Sequence, residues 1–194
     1  GFKILSSWND EGNGIYSHSY NSDSYPEIVL INDTQYPMGR YPNSGWLKYE
    51  SHIGNVSITD VGLGNIPNWE GAEIVIRKNN YTIDRCVVTN HSGDILTYES
   101  LNNSSSNATN NYGYFIQNDF RTLDGLGEWF CDGTNLYMYF GIEQPSNFSV
   151  KVAHVDNLLY ASGISNVTVE NITFYGANLS SVYLEGSKSI SCNR

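Results

Sequence analysis

The apolar residues of this chain come in short runs, and none keeps a helical period. They are "EIVLI" at 27–31, "NVSIT" at 55–59, "EIVIR" at 73–77, "YTIDRCVV" at 81–88, "DILTY" at 94–98, "YFIQN" at 114–118, "SVKVAHV" at 149–155 and "NVTVENITF" at 166–174. Each is strand-sized, rich in β-branched or aromatic residues, and flanked by turn formers. An amphipathic helix would need apolar residues every three to four positions across several turns. One helical turn is expected near "NDFRTLD" at 118–124, with Asn118 or Asp119 as its N-cap. The chain is therefore expected to be all-β. Its 18 glycines and 15 tyrosines fit strands and turns, and only 15% of its residues are charged. The tract "LNNSSSNATNNYG" at 101–113 is polar and aperiodic, and reads as an exposed loop between strands.

A formal net charge of −10 repels phosphate backbones and anionic bilayers, so neither nucleic acid nor membrane is an expected partner. No apolar run approaches the ~20 residues of a membrane-spanning helix. The opening "GFKILSSWNDEG" lacks a charged segment followed by a long apolar core, so no signal peptide is expected there; a mature form or a piece of a longer chain both fit. Cys86, Cys131 and Cys192 have no C-x-x-C spacing and no neighbouring His, which gives no support for zinc; no metal or cofactor is expected. One disulfide plus a free thiol, in any of three pairings, and three buried thiols both remain open. N-x-S/T triplets, Asn55 and Asn166 among them, are numerous; in a eukaryotic secreted protein they would be glycan sites, and a chain this rich in Asn, Ser and Thr also generates them by chance, the reading favoured here.

The C-terminal part repeats itself. "GISNVTVEN" from Gly163 returns as "GSKSISCNR" from Gly186, which lies 23 residues later, with Val167 matching Ile190 and Val169 matching Cys192. "SSVYLEGS" supplies a second short strand between them. A period in the low twenties with polar corners suits one coil of a parallel β-solenoid; a leucine-rich repeat has a similar period, but its LxxLxLxxN signature is absent. Such a coil buries its inward residues against its neighbours. With Arg194 one strand into a new coil, the open end is expected to meet the remainder of a longer chain or another copy of this one.

Three stretches carry a resemblance: "YPMGRYPNSGWLKYES" at 36–51, "WEGAEIVIRKNNYTIDRCVVTNHSGDILTY" at 69–98 and "GYFIQNDFRTLDGLGEWFCDGTNLYMYFG" at 113–141. Together they resemble secreted bacterial right-handed parallel β-helix proteins of the pectate-lyase-like superfamily. Within that superfamily they are similar to β-helix glycoside hydrolases interrupted by a β-sandwich, the β-xylosidase-like group. The resemblance implies a parallel β-helix with an inserted antiparallel β-sandwich. Residues 1–52 would be an early helix segment and junction, 53–141 the sandwich, and 142–194 the start of the coils. It also implies a secreted or cell-surface protein, a periplasmic one included, acting on a plant or algal polysaccharide, with catalytic carboxylates on coils beyond the insert. No catalytic residue of this chain is assigned. A non-catalytic glycan-binding, adhesin or structural β-helix protein is the alternative.

The candidate sugar contacts are Arg40, Trp46, Asp124, Glu128 and Trp129. In "RYPNSGW", turn residues explain most of the motif, so Arg40 and Trp46 are expected to lock a chain junction ahead of lining a cleft. In "RTLDGLGEW", Asp124 and Glu128 would make a glycosidase pair if a turn brought them together, since that chemistry needs two carboxylates about 5–10 Å apart. The expected alternative has Asp124 ending the helical turn and Glu128 facing solvent or pairing with Arg121. Trp8, Trp46, Trp69 and Trp129 fit either sugar platforms or core. "NHSGD" holds His91, Ser92 and Asp94 but reads as a turn, because a triad is assembled in space and not in sequence. "GEWFCDGTNLYMYFG" at 127–141 reads as a hairpin turning at Asp132-Gly133, with Leu136, Met138 and Phe140 on one face and Tyr137 and Tyr139 on the other.

Overall fold

The fold was obtained as a computed structural model that describes residues 1–22 and 24–193. Among these residues there is no α-helix; two single 3-10 turns, Phe120–Thr122 and Pro145–Asn147, interrupt an otherwise all-β chain. Asp119 is the N-cap of the first, its side chain accepting from the Arg121 N–H, and Leu123 closes it. The chain forms two compact units. One is Met38–Phe130; the other joins Gly1–Pro37 to the chain from Cys131 onward.

Met38–Phe130 is built on one eight-stranded antiparallel sheet. Its order is Arg40–Tyr41, Gly113–Gln117, Glu73–Arg77, Ile83–Ser92, Ile95–Ser100, Ser57–Thr59, Ser51–Ile53, and Leu47–Lys48 also pairs with Gly113–Gln117. Asn79 makes the first central turn by accepting from the N–H groups of Tyr81 (2.9 Å) and Thr82 (3.0 Å). Along Ile83–Ser92, Asp84, Cys86 and Val88 face inward; a bulge between Val88 and Asn90 then shifts the phase, and His91 is the next buried residue. The core gathers Tyr49, Trp69, Ile74, Ile76, Leu96 and Tyr114, large side chains whose burial stabilises by about 1.5–3 kcal/mol each. The polar tract read as a loop at 101–113 has no strand until Gly113, which opens Gly113–Gln117, and it is anchored: Ala108 is buried in this core and its N–H donates to the Gly54 carbonyl at 3.2 Å.

Two further sheets are four-stranded and antiparallel, and the Trp129–Cys131 strand of one begins two residues before the boundary between the units. One runs Phe2–Leu5, Val150–Ala153, Val29–Ile31, Thr34–Tyr36; the other runs Trp129–Cys131, Asn135–Tyr139, Ile15–Ser19, Asn9–Gly12. The expected parallel helix is therefore not what residues 1–52 form. The reason is loop length. Val29–Ile31 and Thr34–Tyr36 are joined by Asn32 and Asp33 alone, both at positive φ (50° and 63°). A two-residue connection of that kind can only turn the chain back on itself. The hairpin at Asp132-Gly133 forms as read. Leu136, Met138 and Phe140 are buried and Tyr137 and Tyr139 are half-buried. The turn carboxylate of Asp132 accepts from the N–H groups of Thr134 (2.7 Å) and Asn135 (2.6 Å).

Among the described strands, parallel pairing appears where the 23-residue spacing does; elsewhere there is a single isolated parallel bridge, between Met38 and Trp129. Asn157–Ser162 pairs in parallel with Ser180–Glu185, and Ser165–Glu170 with Lys188–Asn193, each residue facing the one 23 positions later. The corners repeat too. Gly163 and Gly186 have φ of 67° and 57°, and Asn166 and Ser189 have 58° and 53°. Tyr160 stacks on Tyr183 at 5.6 Å and 9° between planes. Yet from His154 to Asn193 no described residue is buried. Arg194, on which the expectation of an open final strand turned, lies outside the described residues. None of the three cysteines forms a disulfide: Cys86 and Cys131 are buried, whereas Cys192 is exposed.

Candidate functional site

All five residues singled out from the sequence lie in Met38–Phe130. Arg40 is half-buried, its guanidinium carbon 3.7 Å from the centre of the Phe115 ring. Its Nε donates to the Pro42 carbonyl at 3.0 Å and an Nη donates to the Gly45 carbonyl. Burial pulls its pKa below the usual arginine value. One side chain thus ties down the 42–45 turn from inside. Trp46 meets the other side of the cluster, edge-on to Phe115 at 4.9 Å, and packs over Gly113, where an added Cβ would come within 2.9 Å of the Trp46 Cβ. Nearly half of Trp46 (47%) stays exposed. Beside it Tyr41 stacks on buried Trp69 at 5.3 Å. Asn43 Nδ2 donates to Asp124 Oδ1 at 2.7 Å, joining the two motifs that the sequence separates by eighty residues.

Glu128 neither faces solvent nor pairs with Arg121. It is buried, and its Oε2 accepts from the N–H groups of Asp124 (2.9 Å) and Gly125 (2.7 Å), while its own N–H donates to the Gly125 carbonyl at 3.0 Å. The carboxylate closes the Asp124–Glu128 loop from within. Burial raises its pKa, the two backbone donors oppose that, and the nearby Asp124 carboxylate adds to it. Arg121 instead grips Asp119 through Nε (2.6 Å) and Nη2 (2.5 Å), and donates to the carbonyls of Asn68 and Glu70, fixing the loop around Trp69. Trp129 is 2% exposed, which removes it as a sugar platform. The Asp124–Glu128 pair is thus brought together, but as a loop closure. The other buried carboxylates among the described residues are also engaged: Asp60 by the Tyr114 hydroxyl (2.8 Å), Glu73 by Arg85 and Gln117 (2.6 Å each), Asp84 by Lys78 (2.6 Å).

His91 is structural as well. The Trp69 N–H donates to its Nδ1 at 2.9 Å, so Nε2 carries the proton that reaches the Gly93 carbonyl at 2.9 Å. No group of three or more His, Cys, Asp or Glu side chains is placed to hold a metal ion among the described residues. No helix among them is long and apolar enough to cross a membrane.

A different feature has the make-up of a ligand groove. In the unit formed by Gly1–Pro37 and the chain from Cys131 onward, a cavity of about 470 Å³ is lined by Leu5, Ser6, Trp8, Tyr16, Gln144 and Phe148, among others. Phe140 supports the aromatic walls from behind: Trp8 and Tyr16 meet it edge-on at 5.3 and 5.7 Å, and Phe148 lies 5.5 Å away. Gln144 Nε2 donates to the Tyr16 hydroxyl at 3.3 Å. The walls carry no Asp, Glu, Lys or Arg. Sequence reasoning reached Trp8 only as one of four tryptophans, because Phe140, Gln144 and Phe148, which complete the groove with it, lie more than a hundred residues further on and no local pattern links them.

No protein-family model matches the chain, and no curated protein matches it. A solved structure named "Glycoside hydrolase" is similar in fold, with a TM-score of 0.69 at 16% identity over 91% of this chain. This chain spans 36% of that structure's length. At such identity the likeness is one of fold.

Proposed function

We propose that this chain is the glycan-engaging part of a carbohydrate-active protein of the glycoside hydrolase kind, working outside the cytoplasm. The observation that carries the reading is the fold likeness to a glycoside hydrolase across 91% of the chain. The groove at Trp8, Tyr16 and Phe148 supplies the place. Flat aromatic faces bind the C–H faces of a sugar ring, an amide and hydroxyls bind its hydroxyl groups, and uncharged walls favour a neutral saccharide over a uronate. The acid and base of hydrolysis come from residues outside these 194, because the carboxylates named above are already committed to backbone N–H groups, a lysine, an arginine or a tyrosine. In this reading Met38–Phe130 is an insert in a right-handed parallel β-helix. The two parallel pairs after residue 156 are among its coils. The unburied apolar residues there, Leu179, Tyr183 and Leu184, are covered by the remainder of a longer chain or by another copy.

The test is titration of the protein with neutral xylo- and gluco-oligosaccharides, followed by Trp fluorescence and calorimetry. Binding that Trp8→Ala abolishes supports the reading. Absence of binding to every neutral glycan in a broad panel, together with no sugar release by a longer chain, refutes it. Binding without turnover by that longer chain assigns a non-catalytic lectin-like role, which the engagement of Glu128 already favours for these residues taken alone.

A further inference from the structure

The core of Met38–Phe130 contains a reactive set of groups that no part of the glycan reading uses. Lys78 follows the strand Glu73–Arg77, and alternation places it on the core face in line with Ile74 and Ile76. Its side chain is 0% exposed. Its Nζ donates to Asp84 Oδ2 at 2.6 Å and to Asn55 Oδ1. Asn55 Nδ2 points the other way, donating to the Ser104 carbonyl at 2.6 Å. The carboxamide therefore presents its carbonyl side to the amine. Around them lie the Tyr98 ring, 5.5 Å from Nζ, and the Cys86 thiol, 3.5 Å from Asp84 Oδ2. The Lys78 and Asp84 side chains are 0% and 2% exposed, Asn55 is half-buried, and the buried Tyr98 hydroxyl has no hydrogen-bond partner among the described residues.

We infer that Lys78 and Asn55 become joined by an amide bond between their side chains, formed by the protein itself with Asp84 as the proton carrier. Lysine and asparagine side chains do not condense in water; here fixed proximity and exclusion of solvent supply what bulk solution lacks. The Lys78 ammonium passes one proton to Asp84 along the 2.6 Å hydrogen bond, leaving a neutral amine. That amine attacks Asn55 Cγ. The Nζ–Cγ bond forms, the Cγ–Nδ2 bond breaks, and the proton held by Asp84, with the second amine proton, leaves on ammonia. No oxidant or co-reactant is needed. The charged pair is the resting state before reaction: burial pushes the Asp84 carboxyl up, and hydrogen bonds from Lys78 and Ser100 together with the lysine charge bring it below its usual range. The product ties Asn55, two residues before Ser57–Thr59, to Lys78, the residue after Glu73–Arg77, and these two strands are not neighbours in the sheet.

Intact-mass measurement of the folded wild-type protein decides the matter without depending on a variant. The expected mass is lower than that of the sequence by one ammonia, about 17 Da. Protease digestion is expected to yield one branched peptide containing both Asn55 and Lys78, with no cleavage after Lys78. Asp84→Asn and Lys78→Met are expected to restore the full mass. Full mass with an unmodified Lys78 peptide overturns the proposal. So does a 17 Da loss mapped to a succinimide at Asn13-Gly14, or a glycan on Asn55.

Discussion

Replacing Glu128 with alanine tests whether this carboxylate closes a loop or serves a ligand. In the structure a single oxygen, Oε2, holds the N–H groups of Asp124 and Gly125 at 2.9 and 2.7 Å. Hydrogen bonds to a charged acceptor contribute about 1.5–3 kcal/mol each. The Asp124 end is open to water, which recovers part of the loss, so E128A is expected to cost about 2–4 kcal/mol. For a chain of this size that lowers the melting temperature by roughly 5–15 °C. E128Q keeps an acceptor oxygen and sheds the cost of burying a charge, so it should fall within about 1 kcal/mol of wild type at neutral pH. The two also differ in pH dependence. Burial holds the folded Glu128 pKa above its ordinary 4.5. Folded protein therefore keeps this proton longer than unfolded protein. The stabilisation from this site is full below 4.5 and is lost as pH rises through the folded pKa. E128Q should lack that decline. Urea unfolding followed by tryptophan emission is a suitable assay, because Trp46, Trp69 and Trp129 all lie in Met38–Phe130. An unchanged E128A midpoint combined with lost glycan binding would refute the loop-closing role and return Glu128 to the ligand.

Three further outcomes are expected. Native protein at pH 8 should take up one thiol label, on exposed Cys192, because burial pushes Cys86 up to about 12 and Cys131 up to about 11; labelling of all three without denaturant would contradict their burial. Asp132→Ala should cost about 1 kcal/mol at neutral pH and almost nothing in acid. Burial raises this carboxyl, but the Asn135 and Thr134 N–H groups and the Tyr137 hydroxyl lower it further, so its stabilisation is present above 3.8 and lost as pH falls through the folded pKa; equilibrium unfolding across pH reads this directly. Gly113→Ala should destabilise by about 1–3 kcal/mol and shift Trp46 emission, since the new methyl meets the Trp46 Cβ at 2.9 Å.

Local chemistry already written in the sequence accounts for much of the fold. Short β-branched runs and frequent turn residues made the chain all-β. Asp132-Gly133 set its hairpin, whose alternation put Leu136, Met138 and Phe140 inside, and the spacing from Gly163 to Gly186 anticipated the parallel register. These features depend on neighbours in sequence or on a fixed repeat, so one dimension suffices to read them. Antiparallel pairing of the first fifty residues was equally present in the two-residue link Asn32-Asp33, but the resemblance to β-helix proteins pointed elsewhere. What only the tertiary structure decided concerns partners far apart in the chain. Glu128 turned inward because folding desolvates it beside two backbone donors, and Trp129 went into the interior, while Trp8 and Tyr16 came to line one cavity with Gln144 and Phe148 from more than a hundred residues away. Lys78, Asp84 and Asn55 look like ordinary surface residues when read singly. Their meeting at the core, where an amine, a carboxylate and a carboxamide lie within hydrogen-bonding distance, belongs to the sheet that brings three separate segments together.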